Sequence, residues 1–593
     1  MFYKGEIMQP SAPASILYLV SLLALFSGFF LMKKSEKKLY AVTWLPLSAV
    51  AIMCYQTLTA ALLDLVHLPV NIISVGIFNL LLGAVCWYGV FRTKERQQYL
   101  CEAADIIFVL LLLLVLVIFG VVRYGTELRL HYNAVDGAAH LSAAMRVIYE
   151  AGIDAMYYSA LHNGILMELL GPLFSAGTYY KIYVLGDILH LYLAGLMFWG
   201  VIRRYSTDRF MKTAGVVVTF LYLFGYPLNS TLFGFAYLGM SLTVILFVLA
   251  VADETFHGNI PKWLAMALLA LGCLGVFESY VMFVPVVFFG ILIWMLVRQH
   301  QNGRLFSVNT VWKGLAVFLI PTAIGLWFTY RGIFGAGTGV TVASQINLEG
   351  GIYRNLFTDF VLPLPFAIGG IWRLMKEKKN CLVLHFAYLE VAFALALFLL
   401  VWKGSASGYY YYKNYFVVWL LVFVLAYIGL GWLEKQARVM VTGGFAVWCV
   451  LAFMLVFHID DRILNHKPLL YGSAQISPFM EIYSFNYDFV FTPIYDGDKL
   501  DLYRYIREDM IDEGLTDAVS MAGCWEDAMW MRAVSGTWAP VYDGAAIQKL
   551  VDEKGLDYVV VLFDSEEYNM AQDVYDNLER VYGNGAGFIA RVR

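Results

Sequence analysis

The chain has 593 residues, of which 60% are hydrophobic, 16% aromatic and only 15% charged, with a mean hydropathy of +0.67. Soluble domains carry about 25% charged residues, so the composition excludes a soluble globular protein and points to an integral membrane protein. A net charge of −4 leaves no basic footprint for nucleic acid, and no nucleic-acid partner is expected.

Crossing a bilayer takes about 20 mostly apolar residues. By that measure the sequence predicts 14 spans: 13–32, 40–63, 69–91, 104–123, 180–202, 213–227, 231–252, 263–279, 281–297, 311–332, 359–375, 381–402, 414–433 and 439–458. The first apolar run follows "MFYKGEIMQP" with no small-residue cleavage site after it, and reads as a span rather than a cleaved signal. The basic clusters "KKSEKK" (33–38), "RTKER" (92–96), "RRYSTDRFMK" (203–212), "PK" (261–262), "RQHQNGR" (298–304), "KEKK" (376–379) and "EKQAR" (434–438) fall between alternate pairs of spans. All therefore lie on one side, which the positive-inside rule makes cytoplasmic. The N-terminus, the loop 124–179 and everything after about 459 are then expected outside.

The outer side carries the polar mass. Loop 124–179 is the longest. Segment 334–358, "FGAGTGVTVASQINLEGGIYRNLFT", is rich in glycine and expected to be mobile. The C-terminal region alternates helical and strand patterns. "LDLYRYIREDMIDEG", "CWEDAMWMRAVSG" and "AAIQKLVDEKG" read as helices, and "DAVSMAG" and "DYVVVLF" as strands. "SEEYNMAQDVYDNLERVYGN" reads as a helix capped by Ser565, and "GFIARVR" as an edge strand. This predicts a small α/β domain, without a G-x-G-x-x-G or P-loop motif to mark it as nucleotide-binding. The seven cysteines show no pairing pattern and no CxxC, and no internal repeat is evident.

Chemistry-bearing residues concentrate at the outer ends. "LHYNAVDGAAHLSAAM", 130–145, puts Asp136 just past a span. Asp136 is an excellent N-cap for a helix 137–150, and a cap would also hold its carboxylate rigidly as a base. His140 follows one turn on, His131 precedes it, and His162 and Asn163 come later in the loop. Ala138, Ala139, Ala143 and Ala144 allow close helix packing, and Arg146 and Glu150 are spaced as a surface ion pair. "GVFESYVMFVP" places Glu278 and Tyr280 at an outer hairpin, where a carboxylate should face a polar cavity or a cation. "GYPLNSTLFGFAY" does the same for Asn229 and Tyr237. "GYYYYKNYFVVWLLVFVLAYIGL" starts a late span with Lys413 and Tyr415, either a lipid-phosphate ligand or a snorkelling lysine in an aromatic belt. Asp64, His67, Asp187, His190, His385 and Glu390, inside or at the ends of spans, read as structural pairs. "CWEDAMW" reads as a helix start carrying core Trp.

A span, an outer loop opening with an acid, and the short helix "DGAAHLSAAMRVIYEAGI" together resemble the first outer loop of the GT-C glycosyltransferases. The basic-Tyr pattern at Lys413 and Tyr415, with Asn414 between, resembles a second feature of that family. The resemblance implies a polytopic α-helical membrane protein of GT-C-like fold with a C-terminal extracytoplasmic α/β domain. It divides the chain into three extra spans (1–103), a core (104–460) and the outer domain (461–593). It implies inverting transfer of a sugar from a polyprenyl-phosphate donor to an acceptor on the outer face of a plasma membrane, bacterial by resemblance. Asp136 would be the base; Lys413, Tyr415, Arg129 and Arg354 would hold the donor phosphate. His131, His140, His162, Asn163, Glu278, Tyr280 and Asn229 would line the pocket. Many members carry an acid pair where this chain has Asp136 followed by Gly137; the sequence requires no cofactor, and a divalent metal is left open. A lipid or polysaccharide flippase, or a polymerase or ligase of surface polysaccharide, is the alternative. The outer polar mass favours surface chemistry over translocation.

Overall fold

The computed structural model describes residues 11–130, 135–153, 160–206, 208–301, 303, 307–333, 347, 356–377, 380–456, 480–537 and 557–592. Its membrane part is built of long apolar helices: α1 (Ala12–Leu31), α2 (Ala41–Leu65), α3 (Ile72–Thr93), α4 (Ala103–Tyr124), α7 (Tyr180–Ile202), α8 (Arg209–Phe224), α10 (Ala236–Phe256), α11 (Lys262–Ser279), α12 (Val284–Gln301) and α13 (Val308–Ile333). After the short α14 (Leu356–Phe360) and α15 (Leu364–Lys376) come α16 (Leu382–Trp402), α17 (Gly408–Leu433) and α18 (Arg438–Val456). Among the described residues 13 helical segments are long and apolar enough to cross a membrane, one fewer than expected.

The missing one is the predicted span 359–375. Pro363 and Pro365 lack backbone N–H donors and break the segment into α14 and α15. At about 1.5 Å per residue, the 13 residues of α15 fall short of the roughly 30 Å hydrocarbon core. α15 is instead fused to α17. A Cβ on Gly370 would lie 2.1 Å from the Leu425 carbonyl oxygen, and one on Gly429 would lie 1.8 Å from that of Phe366. Only glycine permits that backbone approach.

The basic loops gather at one end of the bundle. Lys33 pairs with Glu95, Lys37 donates to the His257 carbonyl at 3.2 Å, Arg204 meets Asp253 at 2.8 Å, and Asn380 donates to the Trp294 carbonyl at 3.1 Å. A two-residue parallel pairing, β1 (Leu39–Tyr40) with β2 (Tyr99–Leu100), lies among them. Arg203, expected as a loop charge, is buried. Its Nε donates to Asp105 at 2.7 Å and its Nη2 lies 2.8 Å from Glu102, so it locks α7 to the start of α4.

The opposite end carries α5 (Val135–Glu150), α6 (Ala160–Leu170) and α9 (Tyr226–Leu232). The C-terminal part sits there too, with α19 (Glu481–Val490), α20 (Gly497–Tyr505), α21 (Trp525–Ser535), α22 (Glu566–Met570) and α23 (Gln572–Asp576). The segment "GYPLNSTLFGFAY", expected as a turn, is helical over Tyr226–Leu232, started by Gly225 and Pro227.

The C-terminal sheet has the order β3-β4-β6-β5, from β3 (Ser520–Ala522), β4 (Tyr558–Leu562), β5 (Glu579–Gly583) and β6 (Gly587–Arg591). β3 and β4 are parallel; the other pairings are antiparallel. "DYVVVLF" is apolar throughout because both faces of β4 are covered. Val559 and Val561 pack with Tyr568, Tyr575 and Phe588, while Val560 and Leu562 join the main core. Two expectations are corrected. The helix starting at Ser565 is indeed capped by that side chain, but it stops at Met570, a second short helix runs over Gln572–Asp576, and Glu579–Gly583 pairs as a strand with β6. Stacking of the Tyr582 ring on Tyr505, 4.1 Å between centroids, and the strand pairing outweigh the local helical pattern. β6 is therefore interior, and β5 and β3 are the edges. Segment 545–555, expected helical, and most of the Gly-rich segment 334–358 lie outside the described residues.

Candidate active site

α5 starts at Val135, so Asp136 sits in its first turn rather than at its cap. There a carboxylate is favoured by the helix dipole. Three neighbours hold α5 in place. A Cβ on Gly164 of α6 would strike Val147 at 2.6 Å and the Ala144 carbonyl at 2.8 Å, so the helices pack backbone to backbone across the alanines. α21 of the C-terminal domain lies against α5, and the Arg507 guanidinium stacks on the Tyr149 ring at 4.2 Å. The third is Gly234. Its φ is +73°, and a Cβ there would come 2.4 Å from the Gly137 nitrogen. The turn after α9 thus presses its backbone directly onto the residue that follows Asp136.

Lys413, in the second turn of α17, is buried at 3% exposure. Its Nζ donates to the Tyr237 hydroxyl at 2.8 Å. It also lies over the rings of Tyr409 at 4.2 Å, Phe235 at 4.9 Å, Tyr280 at 5.3 Å and Tyr237 at 5.4 Å. Such a cage stabilises an ammonium through ring quadrupoles. Asp136, on α5, lies within electrostatic reach of this cation and of Tyr409. Partial burial raises the Asp136 carboxyl above the ordinary aspartate value, and the Lys413 charge opposes that rise. His140, one turn on, lies edge-on to the Tyr237 ring at 5.1 Å. Burial, aided by Lys413, pushes its imidazole down to about 4, so it is neutral at pH 7. The structure therefore brings together Asp136, His140, Tyr280 and Lys413 of the expected site, with Tyr237, Tyr409 and Phe235 added. Tyr409 is four residues before Lys413, on the same helix face, a spacing legible in "GYYYYK".

The other expected site residues go elsewhere. Tyr415 lies about 200° around α17 from Lys413 and packs against Tyr411, Tyr412 and Phe360. Arg129 pairs with Glu127 at 2.7 Å and abuts Gly497, the fate of a loop charge. Asn229 donates to Asn486 at 2.9 Å, and Asn486 in turn donates to the carbonyls of Phe224 and Gly225, so Asn229 fastens α9 to α19. Glu278 is buried at the end of α11, and among the described residues its Oε1 has no hydrogen-bond partner. His162 and Asn163 join a second buried polar group. His162 Nε2 is 3.3 Å from the Thr57 hydroxyl, and Asn163 lies against Gly186 beside Asp187, near His190. His131 and Arg354 lie outside the described residues.

Several smaller readings hold. Arg146 and Glu150 are 3.8 Å apart at the surface. Asp64 pairs with Arg331 at 2.6 Å, His385 with Asn380 at 2.7 Å, and Glu390 accepts from Asn414. All seven cysteines are free. In "CWEDAMW" Trp530 is core but Trp525 is exposed, and Asp527 is buried against Lys499 at 3.0 Å. Sequence reasoning missed Asp359, which accepts from the Tyr226 hydroxyl at 2.6 Å and the Ile482 N–H at 3.1 Å, tying α14 to α9 and α19. Among the described residues no three metal-ligating side chains converge.

No family model matches the chain, and no curated protein matches it. Three of the solved structures distantly similar to this chain are the following. The apo oligosaccharyltransferase of Archaeoglobus fulgidus is 12% identical over 77% of this chain and 69% of its own, with a TM-score of 0.43. ArnT from Cupriavidus metallidurans in the apo state is 12% identical over 83% of this chain and 98% of its own, with a TM-score of 0.47. The same protein bound to undecaprenyl phosphate is 14% identical over 83% and 98%, with a TM-score of 0.43.

Proposed function

We propose that this protein is an inverting, GT-C-like glycosyltransferase that moves a sugar from a polyprenyl-phosphate donor to an acceptor hydroxyl at the membrane surface. The observation that carries the proposal is a first-turn carboxylate, Asp136, within electrostatic reach of a buried, caged ammonium, Lys413. In this reading Asp136 takes the proton of the acceptor hydroxyl as its oxygen attacks the anomeric carbon. The bond from that carbon to the phosphate oxygen breaks on the opposite face. The polyprenyl phosphate or diphosphate leaves as an anion, and Lys413, held by the Tyr237 hydroxyl, stabilises the charge it gains. The lipid tail confines the donor to the bilayer, which lowers the entropic cost of assembling the site. α21, lying against α5, gives the C-terminal domain a place beside the acceptor.

The basic-loop end is assigned to the cytoplasm and the Asp136 end to the outside of a plasma membrane, bacterial by the sequence resemblance. The buried span carboxylates Asp187, Glu278 and Glu390 are the observation that favours a flippase or transporter instead. Saturable binding of a panel of polyprenyl-phosphate sugars to the protein in lipid, in wild type and Lys413→Ala, separates the readings. We expect binding that weakens about tenfold or more in the variant, the loss of one charge-assisted hydrogen bond. Absence of binding by the folded wild type to every such donor would move the assignment to transport.

A further inference from the structure

At the basic-loop end, a cleft of 580 Å³ opens between α11, α12 and α13. Lys262, Arg298 and Lys313 line it, and among the described residues no carboxylate does. The neighbouring 200 Å³ cavity is lined by carboxylates as well as cations, with Asp253 and Glu254 beside Arg204, Arg373 and Lys435. The cations of the larger cleft are partly fixed. Arg298 and Lys313 are half-buried, and Arg298 lies over the Trp294 ring at 5.6 Å while donating to the Thr255 carbonyl at 3.4 Å.

The lining changes character along the helix axes. On α11 it runs from Lys262 through Met266 to Leu269, and on α13 from Lys313 to Val317. Seven residues of helix span about 10 Å, so a cationic mouth grades into an apolar floor over that depth. Two tryptophans mark the level of the mouth. Trp263 follows Lys262 and Trp312 precedes Lys313, and they are 60% and 65% exposed. Exposed tryptophans at helix ends sit at the lipid headgroups. A soluble anion would need only the mouth; a phospholipid fills both the mouth and the floor.

We infer that this cleft is a binding site for the phosphate of an anionic phospholipid, whose acyl chains follow the floor between α11 and α13. Basic pockets between spans are suited to such headgroups. The site is at the opposite end of the bundle from Lys413 and does not depend on the transfer reaction.

The test is native mass spectrometry of the full chain released from nanodiscs that contain phosphatidylglycerol or phosphatidylcholine. Wild type should retain phosphatidylglycerol and not phosphatidylcholine. Lys262→Gln, a change at an exposed position, should weaken retention roughly fivefold, and Lys262→Gln with Lys313→Gln should abolish it. Lys413→Ala should leave retention unchanged. Equal retention of both lipids, or unchanged retention in a folded double variant, would overturn the assignment. Displacement of the lipid by millimolar inorganic phosphate would assign the cleft to a soluble anion and overturn its lipid part.

Discussion

Asp136 and Lys413 are far apart in sequence, and each alone had an ordinary explanation as a cap or a snorkelling lysine. The electrostatic reach of Lys413 to Asp136 is what the proposed site rests on. It makes a prediction at the level of one proton. Partial burial raises the Asp136 carboxyl and the Lys413 charge holds that rise back, so removing the charge must raise it further. An infrared titration of the Asp136 carboxyl band should show a higher midpoint in Lys413→Met than in wild type; an unmoved midpoint would mean the two groups do not face each other. Gly234 is the other decisive residue. Its positive φ and the approach to Gly137 leave no room for a side chain. Gly234→Ala should destabilise the protein by more than about 1 kcal/mol and displace the start of α5, seen as a lower melting temperature together with reduced transfer. The sequence made Asp136, His140, Tyr280 and Lys413 visible because acids, histidines and lysines beside spans are conspicuous. It could not show that Asn229 is bound to Asn486 or that Tyr415 turns away, because those depend on partners supplied by other helices.

At the scale of elements, the long helices were legible because 20 apolar residues leave the chain few other choices in a bilayer. The failures came where tertiary pairing overrode local pattern. The predicted span 359–375 broke at its prolines, and its remainder was recruited by the glycine crossing with α17. The end of the predicted helix after Ser565 became β5 once β6 was available to pair. Charges counted as loop residues also hid a structural role: Arg203 is an interior cation held by Asp105 and Glu102. Asp105→Ala should therefore cost about 3–5 kcal/mol, tempered toward the lower figure by Glu102, and read as a loss of resistance to detergent-induced unfolding. A change below about 1 kcal/mol would return the pair to the class of surface bridges.

For the whole molecule, the alternation of basic clusters along the sequence foretold one end where they gather, and the loop contacts there agree. The polar mass lies at the other end, where α5 is clasped by α6, by the turn at Gly234 and by α21 of the C-terminal domain. That arrangement holds the start of α5, and with it Asp136, where the bundle meets the C-terminal domain. The most direct test of this account is transfer from a lipid-linked donor by purified Asp136→Asn beside wild type, with donor binding measured on the same samples. The account predicts donor binding within a few-fold of wild type and transfer lower by about 100-fold or more. Transfer at the wild-type rate by a folded Asp136→Asn protein would contradict it and leave Asp136 as a first-turn helix charge.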